Sequence, residues 1–231
     1  MRVTAETKQA TRQSILEAAR KLFAEQGFDS ATTRDIARAA RIGVGTLFNY
    51  FPTKEAIAAA LVGDAWSRAA DAFAAAMLQP ADPPASLEED LFAHVAAILR
   101  KLKPFRKYLP AVLETSLSPA ANASIDSQSL RQSHLEIVSQ IVCRHGGDDA
   151  LTPLALQLYW TLITGVLAFW AADSSPRQED TLALLDQSLA MFVGWLTDSG
   201  RSRLPGGTSQ GASSSAPGPT RQAGPTLATR G

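Results

Sequence analysis

The stretch Thr33-Arg-Asp-Ile-Ala-Arg-Ala-Ala-Arg-Ile-Gly-Val-Gly-Thr-Leu-Phe-Asn-Tyr-Phe51 decides how the rest of this chain is read. Ile36, Ala37 and Ala40 fall at i, i+1 and i+4, a small apolar face on a short helix that Thr32 can cap, with Asp35 three residues on as a variant of the capping box. That helix is expected to end near Arg41. Gly43 and Gly45 surround the start of a second short helix, in which Leu47, Phe48 and Phe51 are expected to face inward while Val44, Thr46, Asn49 and Tyr50 point elsewhere. A short helix, a turn and a helix with outward polar residues make a helix-turn-helix over about residues 32–51. Pro52 stops the second helix, and Thr53 can cap another that opens with Lys54-Glu55. Upstream, Ile15, Ala19, Leu22 and Phe23 recur at i, i+4, i+7 and i+8, which predicts an amphipathic helix from about Thr7 to Gln26, closed by Gly27.

The combination of Gly27-Phe28, Ile36-Ala37, Ala40, Gly45-Thr46-Leu47-Phe48, Tyr50-Phe51 and Lys54-Glu55 closely resembles the tetracycline-repressor-like (TetR) family of bacterial transcriptional regulators. A lone helix-turn-helix pattern is weak, but here the first helix, both motif helices and the lysine opening the fourth agree in register. The match covers roughly the first sixty residues; beyond them only an all-helical pattern matches. The resemblance implies a protein that binds double-stranded DNA. Carried over residue by residue, it implies that Thr33, Tyr50 and Lys54 contact phosphates, that Val44, Thr46 and Asn49 lie nearest the base edges, and that Gly45 allows close backbone approach.

Three positions depart from the family pattern. Arg41 stands where the family usually has Gly, so either Arg41 adopts a left-handed conformation or the turn differs here. Gly43 takes the place of the usual Ser cap and is itself an acceptable N-cap. Phe48 stands where Tyr is commoner, which removes a hydroxyl and any phosphate contact made through it.

The formal net charge of the 231 residues is zero, yet its distribution is uneven. Residues 1–60 carry nine Lys or Arg against six Asp or Glu, residues 61–199 nine against sixteen, and residues 200–231 four against none. The positive excess lies with the segment expected at DNA, where phosphate neutralisation requires it. Cys143 is the only cysteine, which excludes an intrachain disulfide and a cysteine-based zinc site; beside Val142 it reads as a small buried apolar residue. The N-terminus shows no apolar signal segment, so a cytoplasmic location is expected. The apolar run from Leu154 to Ala172 is interrupted by Gln157, Thr161 and Thr164 and reads as a buried or interface helix rather than a membrane span.

After Pro52 the sequence predicts helices over Thr53 to about Leu78, Ser86 to Lys103, Pro104 to about Leu117, Ile125 to His145, Pro153 to Ala172 and Glu179 to about Thr197. The fold class is therefore all-α: an N-terminal three-helix domain (1–52), a helical effector-binding and dimerisation domain (53–199), and a Gly, Ser and Pro-rich tail (200–231) expected to be disordered. The last two helices carry apolar residues nearly all round, so one face can serve the subunit core and another a second subunit; a larger single-chain core would account for the same residues. The resemblance implies that these helices pair in a homodimer, which a twofold operator also calls for. Trp66, Phe92, Phe105, Tyr108 and Trp160 are candidate walls of an effector cavity, an expectation that rests on the family, since aromatics at helical spacing fill cores by default. His94 and His134 read as core or boundary residues, and no metal or cofactor is expected.

An enzyme is the competing class, but the chain lacks a G-x-S-x-G elbow, a phosphate-binding Gly loop and paired His ligands, and no strand precedes Gly43-Val-Gly45. A helical interaction module without DNA binding and a DNA-binding regulator without a ligand also compete. The reading favoured is a one-component regulator, a repressor, that binds a palindromic operator as a homodimer and is released by a small-molecule effector, with no membrane partner.

Overall fold

Thr4, Thr32, Thr53, Ser86 and Thr152 each accept, through the side-chain oxygen, a backbone N–H in the first turn of the helix that follows. Such caps satisfy amide donors that have no partner within the helix, and each contributes about 1 kcal/mol. The starts of the helices are thus written into single residues. The computed structural model describes residues 4–78, 85–114 and 125–201, and every regular element among them is helical.

Helix α1 spans Ala5–Gln26 and is ended by Gly27 at φ 86°; α2 is Thr33–Ala39, α3 is Val44–Tyr50 and α4 is Lys54–Met77. Ile15, Leu16, Ala19 and Phe23 of α1 pack with Ile36 and Ala37 of α2 and Leu47 of α3, all buried. Arg41, in the α2–α3 turn, has φ 58°, so the arginine takes the left-handed conformation usually given to Gly. The turn keeps its geometry without its usual residue. Gly43 caps α3 with extended backbone and no side-chain bond.

Beyond α4 follow α5 (Leu87–Leu102), a 3₁₀ turn (Lys103–Tyr108), α6 (Leu109–Val112), α7 (Ile125–Arg144), α8 (Pro153–Ala172) and α9 (Glu179–Arg201). In α5, Ser86 and Glu89 form a full capping box, each side chain taking the other's backbone N–H. The single helix expected from Pro104 is instead a 3₁₀ turn followed by the four-residue α6. Pro110 has no N–H to return to a carbonyl one turn earlier, and the Leu109 N–H bonds at i−3, to Arg106. The part of the predicted helix from 115 onward lies outside the described residues, as does the predicted tail apart from its first two residues, which continue α9.

Helix α4 packs against α1, α5, α6 and α7, joining the helix-turn-helix to the remaining helices. Arg106 donates to the carbonyl oxygens of Trp170 and Asp173 at the end of α8, and the Asp173 carboxylate accepts from Ser175 and Thr181 at the start of α9. The Thr181 hydroxyl above all, with Ser175, holds the Asp173 carboxyl well below the usual carboxylate range. This polar joint fixes the α8–α9 corner. Helix α8 is long and apolar enough to cross a membrane by length and composition, yet Tyr159, Trp160, Ile163, Val166, Leu167 and Trp170 are buried against the other helices. Cys143 is exposed, contrary to the expectation of a buried residue. The buried stripe of α7 runs through His134, Val138 and Ile141, and Cys143 lies off that face.

Candidate nucleic-acid interface and effector site

On α3 the exposed residues are Gly45, Thr46, Phe48 and Asn49, with Leu47 fully buried on the opposite side and Val44 and Tyr50 half-buried at the borders. At about 100° per residue these four positions form one continuous arc, since 45, 48 and 49 are one turn apart. Phe48 therefore faces outward, at 46% exposure, and the inward orientation expected for it is corrected. Phe51, its supposed partner at the base of the helix, is already the C-cap with extended backbone, so helical spacing does not apply to it. No described residue comes within 4 Å of where a Cβ on Gly45 would stand, which leaves that backbone open to an incoming surface.

The three expected phosphate contacts stand in different settings. Thr33 is the first residue of α2 and half-buried; Tyr50 is half-buried at the end of α3. The Lys54 ammonium sits 4.4 Å over the Phe28 ring and donates to the carbonyl oxygens of Phe28 at 2.7 Å and Asp29 at 3.3 Å. Two of its three N–H donors are thus used to bind the α1–α2 connection to the start of α4, and one is left over.

The five aromatic residues expected to share one cavity do not meet. Trp66 and Trp160 lie in the buried centre, rings 6.0 Å apart, against His134. Phe105 and Tyr108 are elsewhere, beside α1: Tyr108 stacks on Phe28 and packs on Phe23, both at 5.3 Å between ring centres. Those two also line a cleft of about 240 Å³ together with Phe23, Arg20, Arg68 and Lys101. Phe92 is half-buried on α5 and lines neither group. Aromatic type marked all five, but helix phase and the 3₁₀ turn after α5 send them to different places.

Around Trp66 the packing brings together two histidines that lie forty residues apart. His94 Nε2 is 3.1 Å from His134 Nδ1, and the Trp66 indole N–H donates to the same Nδ1 at 3.3 Å. Because His134 Nδ1 accepts, its proton is assigned to Nε2 and His94 is assigned as a donor through Nε2. His94 Nδ1, His134 Nε2 and the Tyr159 hydroxyl are then left buried with no hydrogen-bond partner among the described residues. Burial holds His94 down to about 4 and His134 well below its ordinary value, the neighbouring His94 adding to the effect, so both rings are neutral at pH 7. Each histidine was legible as a member of an apolar stripe; their meeting across α5 and α7 was not.

Among the described residues, helices α8 and α9 leave apolar faces uncovered. On α8, which contains no charged residue, Leu154, Thr161, Gly165, Ala168, Phe169 and Ala172 are exposed along one side, Leu154 by 67% and Phe169 by 43%. On α9, Leu184, Met191 and Trp195 are exposed at i, i+7 and i+11, with the half-buried Ser188 between them. Large apolar side chains aligned in this way form an exposed apolar patch of the kind that partners cover.

Residues 15–61, which cover most of α1, all of α2 and α3 and the first turns of α4, match the family model of bacterial regulatory proteins, tetR family. Over this N-terminal segment the chain is similar to the TetR family. It is 44% identical over 54 residues to the HTH-type transcriptional regulator UidR of Escherichia coli (strain K12), a match covering 23% of this chain and 28% of that protein. Over 61 residues it is 39% identical to the HTH-type transcriptional repressor AcnR of Corynebacterium efficiens, covering 26% and 32% respectively. The chain thus spans less than a third of the length of these two curated relatives. In three dimensions the likeness extends further. Thermus thermophilus FadR, a TetR-family transcriptional repressor solved in complex with lauroyl-CoA, superposes with a TM-score of 0.61 at 20% identity over 90% of this chain and 99% of that one. A TetR transcriptional regulator from Rhodococcus sp. RHA1 superposes with a TM-score of 0.62 at 21% identity over 80% and 97%. The TetR-like all-helical fold thus runs the length of the described chain.

Proposed function

We propose that this protein is a cytoplasmic, one-component transcriptional regulator, a repressor, that binds a palindromic DNA operator as a homodimer and is released by a small organic effector. The observation that carries the reading is α3: a short helix whose one exposed arc, Gly45, Thr46, Phe48 and Asn49, projects from a family-matched helix-turn-helix and carries no acidic residue. Such an arc fits a major groove, where Asn pairs with adenine edges and an aromatic edge packs on a thymine methyl. Phe48 joins Val44, Thr46 and Asn49 among the proposed readers, while Thr33, Tyr50 and Lys54 serve phosphates.

Electrophoretic mobility shift with the DNA upstream of the protein's own gene tests the reading. Asn49→Ala is expected to change the preferred base at one operator position, a change of about 1–3 kcal/mol in discrimination. Lys54→Ala is expected to weaken binding to every sequence and to lower the salt slope by about one unit, through its remaining N–H and its charge. Unchanged affinity and slope would remove Lys54 from the interface and leave it as a strut beneath Phe28.

Gly45→Ala separates stability from binding. The space around Gly45 is open, so the added methyl meets no side chain, and Ala is a better helix former. Thermal unfolding is expected to gain about 0.5–1 kcal/mol. Operator affinity is expected to fall, because that methyl would stand where the backbone approaches the groove. A variant that is both more stable and equally tight would show that α3 does not dock through Gly45.

The proposed effector seat is the buried centre formed by Trp66, Trp160, His94, His134 and Tyr159. Buried polar atoms without partners cost about 1–3 kcal/mol each, and a ligand that supplies the missing bonds recovers that cost. Helix α4 carries both Trp66 and Lys54, so movement at the seat reaches the DNA contacts through one rigid element.

A further inference from the structure

The cleft between α1, α4 and the end of α5 has a composition unlike the rest of the regulatory helices. Its apolar wall is Phe23, Phe105 and Tyr108, and its charged lining is Arg20, Arg68 and Lys101, with no Asp or Glu among the lining residues. None of these three cationic side chains makes an ion pair or hydrogen bond with a described residue. The Tyr108 hydroxyl also bonds to no described residue, and burial raises its pKa, so it remains a neutral donor. Three exposed cationic side chains thus border a volume of about 240 Å³ and present a single sign of charge to it, which favours an anionic occupant.

DNA does not supply that anion. Arg68 lies fourteen residues along α4 from Lys54, about 21 Å at the helical rise, and on the regulatory side of the helix-turn-helix. Phosphates that reach Lys54 do not reach this cleft.

We propose that the cleft is a binding site for a small amphiphilic anion: a single ring or short aliphatic body against Phe23, Phe105 and Tyr108, ending in a carboxylate or phosphate held by Arg20, Arg68 and Lys101. The volume falls just below the ~300–1,000 Å³ of sites for drug-sized ligands, which limits the body to about one ring. The site is distinct from the Trp66–His134 centre, whose two histidines are neutral. Its two walls belong to different parts of the molecule, Phe23 and Arg20 to α1 and the remainder to α4, α5 and the 3₁₀ turn, so an occupant sits on the hinge of the reading head.

Isothermal titration of the full chain without DNA, using benzoate, phenyl phosphate and the neutral benzyl alcohol, tests this independently of operator binding and therefore of the function proposed above. At low salt, at least one of the two anions is expected to bind about tenfold or more tightly than benzyl alcohol, with the advantage shrinking as salt rises. The stronger of the two identifies carboxylate or phosphate as the preferred terminus. Arg68→Ser combined with Lys101→Ser, both at exposed positions and checked for unchanged circular dichroism, is expected to abolish the preference. Equal binding of benzyl alcohol and both anions, no binding of either anion at 10 mM, or an anion preference that survives the double substitution would each overturn the proposal.

Discussion

Replacing Phe169 or Met191 by Asp is expected to turn a stable dimer into a monomer with the same helical content. Both side chains are exposed in the isolated chain, by 43% and 63%, so a carboxylate there remains solvated and the subunit still folds. In a twofold interface the same carboxylate is buried without a partner, at on the order of 3–5 kcal/mol, and symmetry repeats it in the second subunit. The dissociation constant should rise more than about a thousandfold, well past micromolar for an ordinary dimer. Sedimentation velocity reads this directly: wild type at the dimer mass, either variant at the monomer mass. A wild-type monomer at micromolar concentration would end the dimer reading, and the apolar faces of α8 and α9 would then need another occupant.

The consequence for DNA follows from geometry. A twofold operator is held by two reading heads, and the second head binds as an intramolecular event, which adds about 10²–10⁴ in affinity. Monomerised variants should lose that factor on a palindrome while retaining the weak, salt-sensitive binding of one head. Gly165, exposed in the middle of α8 with open space where a Cβ would stand, lets a second helix come close to the α8 backbone. The absence of charge along that helix means nothing on it need be desolvated at great cost when it does so.

The helix-turn-helix was legible in the sequence because its information is local. Thr32 and Thr53 cap the helices that follow them, Gly27 takes the positive φ its position suggested, and the spacing of Ile15, Ala19 and Phe23 marks the buried side of α1. Phe48 misleads for an equally local reason: apolar type suggests burial, whereas its position on the arc with Gly45 and Asn49 gives exposure. The break at Pro110 was missed in the helix expected from Pro104, although its signal is local too, since a proline six residues after Pro104 argues against a continuous helix. What no local pattern contains is how the helices meet. His94 and His134 touch because α5 and α7 both pack on α4, and Phe105 parts from Trp160 because the 3₁₀ turn carries it to α1. Those are tertiary facts, and the candidate ligand sites are made from them.

Acidification should destabilise the protein through this same histidine pair. Burial lowers the pKa of His94 from 6.5 to about 4 and that of His134 well below 6.5. Below pH 6.5 the unfolded chain therefore binds protons that the folded chain does not, and stability falls as pH drops through the window from 6.5 toward 4. Above it, both rings are neutral in either state and the effect is fully absent. Each histidine contributes a slope of about 1.4 kcal/mol per pH unit in this window, so going from pH 7.5 to 5.5 should cost roughly 3 kcal/mol for the pair. For a chain of this size that is a drop of about 5–10 °C in the melting temperature. His94→Leu is the informative variant, because it removes one titrating ring and its unpartnered Nδ1 while leaving the Trp66 bond to His134 in place. Its melting temperature should depend on pH about half as steeply as that of the wild type between pH 5 and 6.5. Equal slopes would mean that His94 is reached by water in the folded state, and its Nδ1 would then be lost as a reason for the buried centre to bind a neutral effector.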